Sequence, residues 1–138
     1  TGTSFSGMPS YQISVNYLNP IQSSYYGLIK FMTVPVFFMF FFFFSFYILA
    51  KSFNAGFYVA MIGALIYGLL TYNIDIIAAG HNSKMLAIAF IPGVIGGIVM
   101  LYRRKNILLA FFVLSLFFSL ELMANHIQMT YYFTFIIV

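Results

Sequence analysis

"FMTVPVFFMFFFFFSFYILAK", residues 31–51, decides the fold. It has no charge before Lys51 and contains an unbroken Phe run at residues 40–44. It is also about as long as the roughly 20 apolar residues that, at 1.5 Å each, cross a hydrocarbon core of about 30 Å. The strands of a membrane β-barrel are about ten residues long and alternate in polarity. The run here is continuous, which predicts a helix in lipid. Pro35 falls in its opening turns, where a missing N–H is tolerated. The rest of the chain has the same character: of 138 residues, 63% are hydrophobic, 6% are charged and nineteen are Phe, more apolar surface than a soluble domain of this size can cover. The expectation is an all-α integral membrane protein, a polytopic transmembrane helix bundle.

Working outward, residues 1–27 carry no charge and are rich in Ser, Asn, Gly, Tyr and Pro, which suits an extramembrane segment whose tyrosines lie at the interface. Residues 28–138 then form the bundle, with about five spans by length and hydropathy. The first covers residues 31–50 and ends at Lys51; after "KSFNAG" a second covers residues 56–71 and dissolves into "YNIDIIAAGHNSK", the most polar connection in the chain. A third, residues 85–102, contains Pro92 and the small cluster Gly93, Gly96 and Gly97, which permits close helix approach. It stops at Arg103, Arg104 and Lys105. A fourth covers residues 107–123, and a fifth starts near Thr130 and is cut off, so the sequence reads as a fragment of a longer membrane protein. The first apolar run is too long and too deep in the chain for a signal peptide, and no repeat or low-complexity function stands out.

Charge orients the spans. Lys51 and the Arg103, Arg104, Lys105 triplet sit at connections two spans apart and so face the same side, the cytoplasm by the positive-inside rule. Residues 1–27, the loop with Asp75, His81, Asn82 and Lys84, and the turn with Asn125, His126 and Gln128 then emerge on the extracytoplasmic face. A net charge of +4, scattered along the chain, makes no nucleic-acid footprint. The absence of cysteine removes disulfide frameworks, thiolate metal sites and a cysteine nucleophile.

The polar groups on that outer side are few. Asp75 and Glu121 are the only carboxylates. A charge inside a span is costly, so each is a candidate general base or sugar-hydroxyl ligand, or else is paired with a cation or helix terminus. "AGHNSK", residues 79–84, suits an anion: Lys84 supplies a point charge, and Asn82 or Ser83 can cap the third span, whose N-terminal N–H groups favour negative charge. The plain alternative is a cap beside a lysine that snorkels to headgroups. In "ELMANHIQMTYY", residues 121–132, a helix places Glu121, Asn125, Gln128 and Tyr132 on one stripe. His81 and His126 have no metal-ligand spacing, so no metal or other cofactor is indicated, although a divalent ion is chemically possible. Asp75, His81, Glu121 and His126 can also be read as a proton relay, but they gather at one face instead of being strung across the bilayer. The Arg103 triplet is most simply an anchor beside anionic lipid.

In order along the chain, "SGMPSYQISV" at residues 6–15, "AGHNSK" at 79–84, "YRRKNILLA" at 102–110 and "LFFSLELMANHIQMTYYF" at 116–133 together resemble the N-terminal region of the bacterial YfhO family of polytopic membrane proteins. The resemblance implies a GT-C-like helix bundle in the bacterial cytoplasmic membrane. Such a bundle transfers sugar from a polyprenyl-phosphate donor to a cell-envelope glycopolymer acceptor on the outer face. It extends to Gly7, Met8 and Pro9, to His81, Asn82 and Lys84, and to Glu121, Asn125, His126 and Gln128. His81, Asn82 and Lys84 would hold the lipid-linked phosphate, and Asn125, His126 and Gln128 sugar or acceptor hydroxyls. Asp75 and Glu121 are the candidate catalytic carboxylates. GT-C enzymes usually carry their principal acid in the first outer loop. Residues 1–27 hold no Asp or Glu, so that acid is expected upstream of Thr1 and the fragment alone is expected to be inactive. The rivals are a transporter or flippase for a lipid-linked sugar, which predicts repeats and midplane polar groups, and a non-enzymatic structural membrane protein.

Overall fold

A computed structural model describes residues 34–104, 106–124 and 126–137. The proposed outer segment 1–27, the first residues of the 31–50 span, Lys105 and Asn125 lie outside the described residues. The described chain is all-helical: α1 Val34–Ser52, α2 Phe57–Gly68, α3 Thr71–Ala78, α4 Asn82–Arg103, α5 Ile107–Met123 and α6 Ile127–Ile137. The bounds of α5 match the reading from sequence, α4 starts three residues earlier than residue 85, and α6 starts at Ile127 instead of near Thr130.

α4 is the central element, packed on α1 along one side and α5 along another, with α2 against α1 and the ends of α3 and α6 touching α4. Its 22 residues give it a length of about 33 Å. The core between the three long helices is aromatic: Phe37 and Phe42 of α1, Phe90 of α4 and Phe117 of α5 are almost fully buried, with Met85 and Val94 between them. Phe41 meets Phe90 edge-on at 5.0 Å between centroids. The run at residues 40–44 therefore serves both faces of α1, since Phe42 is buried while Phe40 and Phe44 are exposed and stacked on each other. Ser45 and Ser52, buried in this apolar helix, satisfy their hydroxyls on the carbonyls of Phe42 and Leu49.

The glycines of α4 set its spacing. A Cβ on Gly97 would lie 2.7 Å from the Leu114 Cα, a Cβ on Gly93 would enter the Phe117 ring, and a Cβ on Gly96 would lie 3.2 Å from the Leu49 Cα. Gly93 and Gly97 thus admit α5, and Gly96 admits α1, as the small-residue cluster predicted. Helix ends follow ordinary rules. Asn54 (φ 63°) and Gly80 (φ 73°) sit in the left-handed region just past α1 and α3. The amides of Ala55 and His81 reach back to the Ala50 and Ile76 carbonyls, closing Schellman turns. Asn106 caps α5 by accepting from the Leu109 amide at 3.2 Å.

The second span departs from expectation. It ends at Gly68 instead of continuing to residue 71, and Thr71 together with "YNIDIIA", read as the start of a polar connection, forms α3, bent by 43° from α2. The cause is Asn73, which is buried and donates its side-chain N–H to the Tyr67 carbonyl at 2.7 Å, satisfying an acceptor at the end of α2 across the bend. Tyr67 has a second task. Pro92 lacks the N–H that would have bonded the Ile88 carbonyl, and the Tyr67 hydroxyl donates to that oxygen at 3.1 Å. Tyr67→Phe is expected to lower stability by about 1 kcal/mol in denaturation assays. Combining it with Pro92→Ala, which restores the backbone donor, should leave the Tyr67 change nearly neutral.

Among the described residues, α4 (as Ser83–Arg103) is the one helix that is by itself long and apolar enough to cross a membrane; α2 and α3 qualify together as a bent pair, and α1 and α5 are shorter apolar helices.

Candidate functional site

The polar side chains collect around the N-terminal end of α4. α3 leads into it through Gly80, and the α5–α6 turn lies against it. His81 is the N-cap residue of α4, exposed, and makes no side-chain cap bond. The expected capping by Asn82 or Ser83 is therefore not how α4 starts: the cap position is occupied one residue earlier, and Ser83 is exposed in the first turn. Asn82 is the first helical residue, and its side chain is not described. Lys84 is half-buried, its ammonium 5.5 Å from the centroid of the Tyr72 ring on α3, a cation–π distance. Asp75 is on the exposed side of α3.

Glu121 closes this end from α5. It is fully buried, its Oε1 accepts from the Thr130 hydroxyl at 2.8 Å, and its Oε2 is buried without a partner among the described residues. His126, in the α5–α6 turn, is only 8% exposed and its Nδ1 is likewise buried without a partner among the described residues. Burial pushes the His126 imidazole down from its usual range against an opposing backbone hydrogen bond, and the nearby Lys84 adds to the lowering. Burial thus disfavours its charged form. Two unsatisfied buried polar atoms of complementary chemistry at one end of a bundle are unusual, since such groups are nearly always paired.

The single stripe expected from residues 121–132 does not form. The helix breaks between Met123 and Ile127, so Glu121 points into the core while Gln128 and Tyr132 are exposed, with Gln128 Nε2 donating to the Tyr132 hydroxyl at 3.4 Å. α6 folds back instead and presents Thr130, nine positions on, to Glu121. Sequence reasoning named Glu121, His126 and Lys84 but missed Thr130 and Tyr72, whose roles arise only from the turn and from α3. Among the described residues no group of three or more His, Asp or Glu is gathered as a metal site.

No protein-family model, curated protein or solved structure matches the chain. What the site can do rests on its own chemistry: a cation held over an aromatic ring, a buried imidazole and a carboxyl group with one oxygen unpartnered among the described residues.

Proposed function

We propose that the chain belongs to a polytopic membrane protein that transfers a sugar from a polyprenyl-phosphate donor to an envelope acceptor, similar to the GT-C class. The observation that carries this reading is the pair of buried atoms without a partner among the described residues, Glu121 Oε2 and His126 Nδ1, near the end of α4 where Lys84 stands. A carboxyl oxygen and a neutral imidazole can each accept a proton from, or hydrogen-bond to, a sugar hydroxyl, and a lysine can neutralise a phosphate. Lys84 and the exposed His81 are the phosphate contacts of the proposal, with Asn82 beside them. Glu121 and His126 face the sugar or acceptor. Gln128, and Asp75 on its exposed face, are given the outer rim, and Asn125 keeps its proposed part in binding sugar or acceptor. No cofactor is invoked.

The membrane setting has separate support. Phe111, Phe112 and Leu108 of α5, and Tyr58, Val59, Ile62 and Ile66 of α2, are more than half exposed, a surface suited to lipid. In this reading α2 and α3 count as one broken span and α1, α5 and α6 as further spans; Lys51 and Arg103, which line one groove, then share one end, opposite to Lys84. The positive-inside rule then makes the Lys84 end extracytoplasmic in a bacterial cytoplasmic membrane.

In membrane vesicles holding the full chain of the natural protein, Lys84→Ala is expected to raise the KM for a polyprenyl-phosphate sugar about tenfold, the cost of one charge-assisted contact, with kcat little changed. An unchanged KM would remove the phosphate role. A carrier for the same lipid-linked sugar is the second reading, favoured by the 43° break between α2 and α3, since discontinuous helices mark many transporter sites. It predicts sugar crossing the bilayer without transfer to an acceptor.

A further inference from the structure

The opposite end of the bundle holds a groove of about 340 Å³ between α1, α4 and α5. Tyr47, Ile48, Met100 and Leu109 supply apolar walls, and the groove is also lined by Lys51 and Arg103, both exposed. Leu109 is half-exposed, so the groove is continuous with the apolar outer face of α5. Lys51 donates to the Ala55 carbonyl at 3.2 Å and the Arg103 guanidinium stands 5.7 Å from the Phe53 ring centroid. Neither contact neutralises a charge. The chain's two carboxylates, Asp75 and Glu121, both belong to the other end.

We infer that this groove binds an anionic phospholipid, with an acyl chain along the Ile48, Met100 and Leu109 walls and the phosphate between Lys51 and Arg103. The inference rests on the membrane setting proposed above but not on sugar transfer. Charge complementarity and wall chemistry choose the occupant together. A free phosphate would gain nothing from the apolar walls, and an apolar partner helix would leave two cations uncompensated. A phospholipid uses both, because acyl burial adds affinity with every methylene and basic side chains beside a bilayer attract anionic headgroups.

The test has two arms. Alkaline carbonate extraction of membranes carrying the chain is expected to leave it in the pellet. The protein purified in detergent is then offered equal amounts of phosphatidylglycerol and phosphatidylcholine of the same acyl composition, and retained lipid is read by native mass spectrometry. Phosphatidylglycerol should be preferred, and Lys51→Gln and Arg103→Gln should each reduce that preference about fivefold, the effect of one basic residue at a lipid surface. Arg104, the next residue and exposed but not part of the groove, is the control: Arg104→Gln removes the same charge and should leave the preference intact. Leu109→Trp, at a half-exposed position, should block the groove and lower retention of both lipids. Membrane retention with equal binding of the two lipids, or an Arg104→Gln effect equal to that of Arg103→Gln, overturns the lipid site while leaving the membrane setting intact. Release by carbonate overturns both.

Discussion

Gly97→Leu is expected to be the most disruptive single change in the bundle. Even the first carbon added there would lie 2.7 Å from the Leu114 Cα and 2.8 Å from its amide nitrogen, and neither is a side-chain atom that can swing aside. The two helices must part. The cost is expected at about 3 kcal/mol or more, at the upper end of what overpacking produces, because separating α4 from α5 also loosens Phe117 against Phe90. The same contacts rank the other glycines. Gly97→Ala should already be strongly destabilising, Gly96→Ala less so because its nearest neighbours in α1 stand 3.2 Å away, and Gly56→Ala close to neutral because nothing lies within 4 Å. Helical content survives when membrane helices merely dissociate, so the measurement is the loss of aromatic near-ultraviolet ellipticity on titration with a denaturing detergent. A Gly97→Leu protein as resistant as the parent would mean that α4 and α5 do not pack through this face.

The parts of the fold visible in the sequence are those set by apolar length and by residues with only one use. The bounds of α5 are legible because a largely apolar run opens at Ile107, just after the basic residues 103–105. The glycine cluster was legible because small residues in an apolar helix have few roles other than close packing. What escaped were features made by tertiary contact. Asn73 and Asp75 make residues 72–84 look like a solvated connection, but Asn73 turns inward to bond the Tyr67 carbonyl and the chain is helical to Ala78, with Asp75 on the exposed side. Tyr67 looked like one more aromatic in a span, although Pro92 four residues beyond Ile88 announces a carbonyl in need of a donor, and a polar aromatic on a neighbouring helix is a reasonable source. The polar stripe at residues 121–132 failed because helical periodicity was extended through a break that carries neither Gly nor Pro. The groove at the basic end drew no notice because its walls are ordinary span residues, and only its Lys51 and Arg103 edge is polar, read as topology alone.

Glu121 distinguishes a structural carboxyl from a working one, and Glu121→Gln separates the two by at least two orders of magnitude. The amide has the same shape, and its oxygen can still accept from the Thr130 hydroxyl, now at 2.8 Å from Oε1. If Glu121 is only a core residue, the variant keeps its one partner and turnover follows the folded fraction. If Glu121 exchanges a proton with a sugar or acceptor hydroxyl through the free Oε2, the variant is equally well folded and kcat falls by about 10²-fold or more, the range associated with a positioned general acid or base. Thr130→Val runs the opposite way. It strips Glu121 of its remaining partner and is expected to cost about 1–3 kcal/mol of stability whichever role the carboxyl has. The decisive measurement is therefore a pair of numbers for Glu121→Gln in vesicles, the unfolding midpoint and the kcat for transfer from a polyprenyl-phosphate sugar. An unchanged midpoint with kcat reduced a hundredfold supports the carboxyl as a participant in the reaction, because lost packing lowers the midpoint before it lowers the rate of the molecules still folded. An unchanged midpoint with unchanged kcat makes Glu121 the interior anchor of α6 and shifts the proposed chemistry onto His126 and Lys84.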